Sequence, residues 1–189
     1  MQLFRAILLS LFLVTPGLAE VVKTTSTEYY TVDGTTRAEI FKYIKEHSPL
    51  KKGGRTFHAF TESQVKYRFH WVRKGGECSV DKVTVNIHIT YTYPKLARTP
   101  AASDTRQWWD EMTARLVEHE LIHGKIALNG AIELDRELRR MKRLKCSGIE
   151  QQVKDKANDI LGQTRWKQEE YDRITQHGVK QERYMNNLH

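Results

Sequence analysis

The chain lacks any apolar run long enough to cross a bilayer, which takes about 20 residues. Its most apolar stretch, Ala6 to Val14, is broken by Thr15, Pro16 and Gly17. That argues against a spanning anchor, and the segment has the plan of an export signal. Arg5 precedes the apolar stretch, and Gly17-Leu18-Ala19 forms a small-x-small cleavage site. Residues 1–19 are therefore expected to be removed, leaving residues 20–189 as one mature domain in the periplasm or outside the cell. No cysteine stands at the cleavage site, which argues against a lipoprotein. Cysteine is scarce throughout: Cys78 and Cys146 are the whole complement. An even pair in an exported chain points to one disulfide, with two buried free thiols as the alternative.

Acidic residues are also in the minority. Loss of Arg5 with the signal leaves 30 basic against 23 acidic residues, a net charge of +7. That balance suits anionic envelope polymers. The basic residues are scattered and form no aromatic-interleaved stripe, so nucleic acid is not an expected partner. Internal repeats and low-complexity stretches are absent as well, and the mature length suits a single core.

What is present divides into a β-rich first half and a helical second half. Thr27 to Val32 reads as a short strand closed by Asp33-Gly34. Thr36-Arg37-Ala38-Glu39 fits a capping box for a helix with Ile40, Phe41 and Ile44 on its apolar face, ended by Ser48-Pro49. Val65, Tyr67, Phe69 and Trp71 alternate with polar residues, as do Val83, Val85, Ile87, Ile89, Tyr91 and Tyr93. These two strands, separated by Gly75-Gly76, are expected to pair as an antiparallel hairpin with a long connection, and Pro94 and Pro100 to close the sheet. Beyond an N-cap at Ser103 or Asp104, a helix runs to about Cys146 with a kink expected at Gly124 or Gly130. Cys146-Ser147-Gly148 makes a turn, and Ile149, Val153, Ala157, Ile160 and Leu161 begin a returning helix.

Chemistry enters at His119-Glu120-Leu121-Ile122-His123. Positions four apart on a helix share a face, so the two imidazoles converge on one point, as a zinc ion requires. Glu120 is too far round the helix to be a ligand, and is placed instead to take a proton from an attacking water. Catalytic zinc needs a third protein ligand. The extended motif would need glycine at 126 and histidine at 129, where the chain has Ile126 and Asn129. Later histidines are His177 and the terminal His189, which makes His177 the expected ligand; Asp172, Glu150 and Glu137 are the alternatives. With His177 as ligand, Asp172 or Thr175 would orient it or shape the turn. Tyr171 reads either as a donor to a developing oxyanion or as a tyrosine packed between helices. His58, His70 and His88 read as solvated, and Trp108 and Trp109 as core or as cleft lining.

These residues together resemble a family of uncharacterised secreted bacterial proteins described as predicted zinc-dependent proteases. The likeness rests on a Tyr-rich first strand, Cys78 and Cys146, His119-Glu120-x-x-His123, and the run Tyr171-Asp172-Arg173-Ile174-Thr175-Gln176-His177-Gly178. It covers nearly the whole mature chain. Lys125 departs from the apolar residue that many zincins carry two positions after the second histidine. The resemblance implies a zincin-like α+β fold: a small, mostly antiparallel sheet with one helix, then the active-site helix and a returning C-terminal helix. The expected function is zinc-dependent hydrolysis of a peptide or protein substrate. A zinc-stabilised envelope protein without catalysis and a module binding anionic polymers are the alternatives.

Overall fold

The computed structural model describes residues 21–98 and 102–180. The expected signal peptide, Pro100 and His189 lie outside the described residues. The elements in chain order are β1 (Val21–Val32), α1 (Arg37–His47), β2 (Lys51–Lys52), β3 (Arg55–Thr56), β4 (Phe60–Lys74), β5 (Glu77–Leu96), α2 (Ser103–Arg140), β6 (Leu144–Lys145) and α3 (Ile149–Thr175).

The alternation in β5 organises the fold. Val83, Val85, Ile87, Ile89, Tyr91 and Tyr93 are buried on one face, where they meet Ala127, Ala131, Leu134 and Leu138 of α2 and Val153, Ala157 and Ile160 of α3. Each such side chain, fully removed from water, contributes about 1.5–3 kcal/mol before ordering costs are counted. The opposite positions Thr84, Asn86 and His88 are exposed, so the architecture is α+β, with helices covering one face of the sheet. A smaller cluster of Val32, Ile40, Ile44 and Trp109 seats α1 against β1 and the start of α2.

The sheet order is β1-β5-β4, with β6 added to the start of β5. β4 is antiparallel to β5, but β1 is parallel to it and begins at Val21, so the sheet is mixed and its first strand is longer than expected. Gly75 and Gly76, at φ 60° and 88°, turn β4 directly into β5, so the hairpin connection is tight rather than long. Pro94 does not close the sheet. It lies inside β5, beyond the last β4 partner pair Phe60–Thr92, on a stretch paired only with β1, where a missing N–H is tolerated.

The capping box on α1 forms as expected: the Glu39 N–H donates to Thr36 Oγ1 at 3.3 Å and the Thr36 N–H to the Glu39 carboxylate at 3.2 Å. The α2 N-cap is Ala102, however, and the Asp104 carboxylate accepts from the Thr105 N–H inside the first turn. α2 ends at Arg140 rather than near Cys146, because the chain then enters β6. It runs as one uninterrupted helix through both glycines, which allow close packing. A Cβ on Gly124 would stand 2.0 Å from the Tyr91 hydroxyl, and one on Gly130 would stand 2.3 Å from Thr164 Oγ1. A Cys78–Cys146 disulfide ties the start of β5 to the turn between α2 and α3, in accord with export to an oxidising compartment. No helix among the described residues is long and apolar enough to cross a membrane.

Candidate metal centre

α2 and α3 pack as an antiparallel pair, and the site forms where they face each other. His119 lies about as far before the end of α2 as Asp172 lies beyond the start of α3. In such a pair these two positions meet, as do His123 and Gln168 one turn closer to the connection.

The Nε2 atoms of His119 and His123 are 3.2 Å apart, and Oδ1 of Asp172 lies 3.1 Å from the first and 3.0 Å from the second. His119 is 4% exposed, so these polar atoms converge in a largely dry setting. Gln168 fixes the orientation of His123. Its amide nitrogen donates to the His123 carbonyl at 2.9 Å, which turns its amide oxygen toward His123 Nδ1. Nδ1 must then carry a hydrogen, and the neutral ring presents the lone pair of Nε2 to the Asp172 oxygen. Two lone pairs at that distance repel unless a cation stands between them, either a proton or a metal ion. The same tension appears in the titration of these groups. Burial alone would lower the His123 pKa, but hydrogen bonding to Asp172 and Gln168 raises it. Burial alone would raise the Asp172 pKa, but bonding to His119 and His123 holds it well below the usual carboxylate range.

Glu120 is 5% exposed and shares the cavity of about 680 Å³ onto which His119, His123 and Asp172 open. Burial raises its pKa, opposed by a 2.6 Å hydrogen bond from Thr61 Oγ1 on β4 and by the nearby histidines. Thr61 was not legible as a functional residue because it is one of several threonines in strands, and nothing local marks which one faces the helix. Gln168 was missed for a similar reason, although its place four residues before Asp172 on one helix face was a usable signal.

The chain belongs to a bacterial family. The family model described as "Bacterial protein of unknown function (DUF922)" matches residues 27–178. That span takes in Thr61, the α2 motif, Gln168 and Asp172, so the whole centre lies within the family's domain. The family's description assigns no function. No curated protein and no solved structure matches the chain.

His177, the expected third ligand, is 46% exposed at its side chain, with Nδ1 3.4 Å from Asp172 Oδ1, the oxygen that also faces His119 and His123. The compact three-residue group contains Asp172, the alternative, in its place. Glu137 pairs with Arg140, and Glu150 lies in the first turn of α3, so both belong to the connection end of the helices. Tyr171 is 2% exposed. Its ring stacks on His119 with centroids 4.8 Å apart and meets His123 edge-on at 4.9 Å, the placement of a packed tyrosine that backs both imidazoles. Thr175 shapes the turn after α3: its hydroxyl donates to the Tyr171 carbonyl and accepts from the Gly178 N–H. Gly178, at φ 89°, brings the backbone onto His119, where a Cβ would be 3.3 Å from Cγ of the ring. His58 is a correction. It is half-buried against Phe41 and lines the cavity, and burial lowers its pKa, whereas His70 and His88 are exposed as expected. Trp109 is core and Trp108 packs beside it.

Proposed function

We propose that this chain is an exported, zincin-like hydrolase that cleaves peptide or other amide bonds with zinc at His119, His123 and Asp172. The convergence of those three donor atoms in a cavity that also holds Glu120 carries this reading. Ligand atoms about 2.0–2.1 Å from a tetrahedral ion lie about 3.3 Å from one another. The observed separations of 3.0, 3.1 and 3.2 Å are close to that, and two imidazoles with one carboxylate are a donor set that suits zinc. Zinc held by these residues would supply a Lewis acid and make water acidic enough to ionise at a pKa of about 7.

The chain's own groups would divide the remaining work. Gln168 sets the His123 tautomer, and Tyr171 holds both rings in place from behind. Glu120, with its pKa raised by burial, is a better proton acceptor than an exposed carboxylate and is placed to return the proton to a leaving amine. Thr61 aims that carboxylate from the neighbouring strand.

A non-catalytic metal that clips α2 to α3 would use the same ligands, but it leaves a buried Glu120 in the cavity without a task. Elemental analysis of the mature protein tests the site: one zinc per chain in wild type and none in His123→Ala is expected. Absence of zinc from wild type prepared without chelators would overturn the reading. Hydrolysis of a casein or short-peptide panel that is abolished by Glu120→Gln, with zinc retained, separates the enzyme from the clip.

A further inference from the structure

A small hairpin, β2 and β3, forms part of the cavity lining, and its cations Lys52 and Arg55 have no assigned role. Lys52 and Arg55 are directly opposite each other across the ladder, flanking Gly53 and Gly54 at φ 58° and 75°. Directly opposed residues project from the same face of a ladder, so the two cationic side chains leave the hairpin on one side, and like charges so placed destabilise a strand pair. Among the described residues, neither cation forms an ion pair, and both line the cavity. The acidic lining residues Glu62 and Glu169 lie on other walls and pair with neither.

The hairpin is anchored rather than loose. Ser48 Oγ donates to the Phe57 carbonyl at 2.8 Å, the Phe57 N–H donates to the Leu50 carbonyl at 2.8 Å, and the Phe57 ring meets His177 edge-on. Lys52 Nζ rests over the Phe60 ring, 5.6 Å from its centroid. Arg55 Nη1 donates to His177 Nε2 at 3.4 Å, and His177 Nδ1 is 3.4 Å from the Asp172 carboxylate. One imidazole thus links the guanidinium to the metal-site carboxylate, which puts a fixed positive charge beside the reacting end of the cavity.

We propose that Lys52 and Arg55 form a subsite for a carboxylate of the substrate, so that the cavity takes peptides or acyl amino compounds carrying a free carboxylate near the scissile bond. An anion between the two cations relieves their repulsion, and the guanidinium fork matches a carboxylate in two hydrogen bonds. The carboxylate comes either from a chain end or from an acidic side chain. This inference rests on the proposed hydrolase, whose substrate class it names.

The test is binding of three N-acetylated tripeptides to the zinc-loaded protein: Ala-Ala-Ala as the free acid, its carboxamide, and Ala-Glu-Ala as the carboxamide. Glu120→Gln protein run in parallel prevents turnover. The free acid is expected to bind about tenfold tighter than its amide, with the preference reduced by salt. Lys52→Gln and Arg55→Gln should each diminish it while zinc content is unchanged, and Arg55→Lys should retain part of it. Tight binding of the amidated Glu peptide identifies the side chain as the source; weak binding identifies the chain end. Equal binding of all three peptides, no binding of either carboxylate-bearing peptide at millimolar concentration, or a preference untouched in both Gln variants overturns the subsite. Absence of zinc from wild type would instead overturn the hydrolase, and an acid preference lost in Lys52→Gln would then still support the subsite.

Discussion

Gln168 holds His123 at two points, its amide nitrogen on the backbone carbonyl at 2.9 Å and its amide oxygen on Nδ1. The pair fixes both the position and the tautomer of one imidazole of the candidate metal centre across the two long helices. Groups that orient a ligand in this way typically change metal affinity by about 10–100-fold when removed. Gln168→Ala should weaken zinc binding within that range without unfolding the protein, as read by chelator competition. Gln168→Glu, which keeps the acceptor, should retain most of the affinity.

Asp172 and His177 make opposite predictions. Asp172→Asn removes the charge nearest both imidazoles and should abolish stoichiometric zinc. His177→Gln removes a half-exposed group that meets the same carboxylate oxygen from 3.4 Å, further off than either imidazole, and should leave one zinc per chain with reduced affinity. Zinc loss in His177→Gln with retention in Asp172→Asn would reverse the ligand assignment.

Gly124 tests the contact between α2 and the sheet. Alanine is favoured over glycine within a helix by about 1 kcal/mol, but its Cβ would fall 2.0 Å from the Tyr91 hydroxyl and 2.9 Å from Cζ. Overpacking of a core typically costs about 1–3 kcal/mol, and Tyr91 is itself buried, with little room to yield. Net destabilisation in urea unfolding is therefore expected for Gly124→Ala, relieved in part by Tyr91→Phe. A neutral or stabilised variant would show that α2 moves away from β5 freely.

The disulfide closes a loop spanning a sequence separation of 68. A loop of that length restricts the unfolded chain by about 4 kcal/mol in the chain-entropy account, and measured losses usually fall at about 2–4 kcal/mol. Cys78→Ala with Cys146→Ala should lower the unfolding midpoint accordingly. The metal site, at the other end of the helix pair, should still take up zinc below that midpoint.

Glu39 offers a prediction in pH. Hydrogen bonds from Thr35 and Thr36 lower its carboxyl pKa in the folded state below the ordinary 4.5. A depressed folded value means that the contribution is fully present above 4.5 and is lost as pH falls through the folded value. Glu39→Ala should therefore lower the melting temperature at pH 7, and the gap from wild type should narrow in acid. A constant gap across that range would remove the carboxylate from the account of the cap.

The parts of this protein that depend on near neighbours in the chain were legible from its residues. The Thr36–Glu39 cap, the inward face of β5 and the shared face of His119 and His123 all follow from periods of 3.6 or 2, because the partners lie within a turn or on one strand. Cys78 and Cys146 were legible by number alone, since two cysteines in an exported chain have one way to pair. Whatever depends on how distant elements dock was decided only by the tertiary structure. The parallel pairing of β1 with β5, the tight approach of α2 at Gly124 and Gly130, and the roles of Thr61 and Gln168 are set by packing between segments far apart in sequence. The third member of the compact donor group shows the reason most directly. Counting histidines favoured His177, but antiparallel helices bring together residues equidistant from their connection, and that geometry sets Asp172 against His119 and His123.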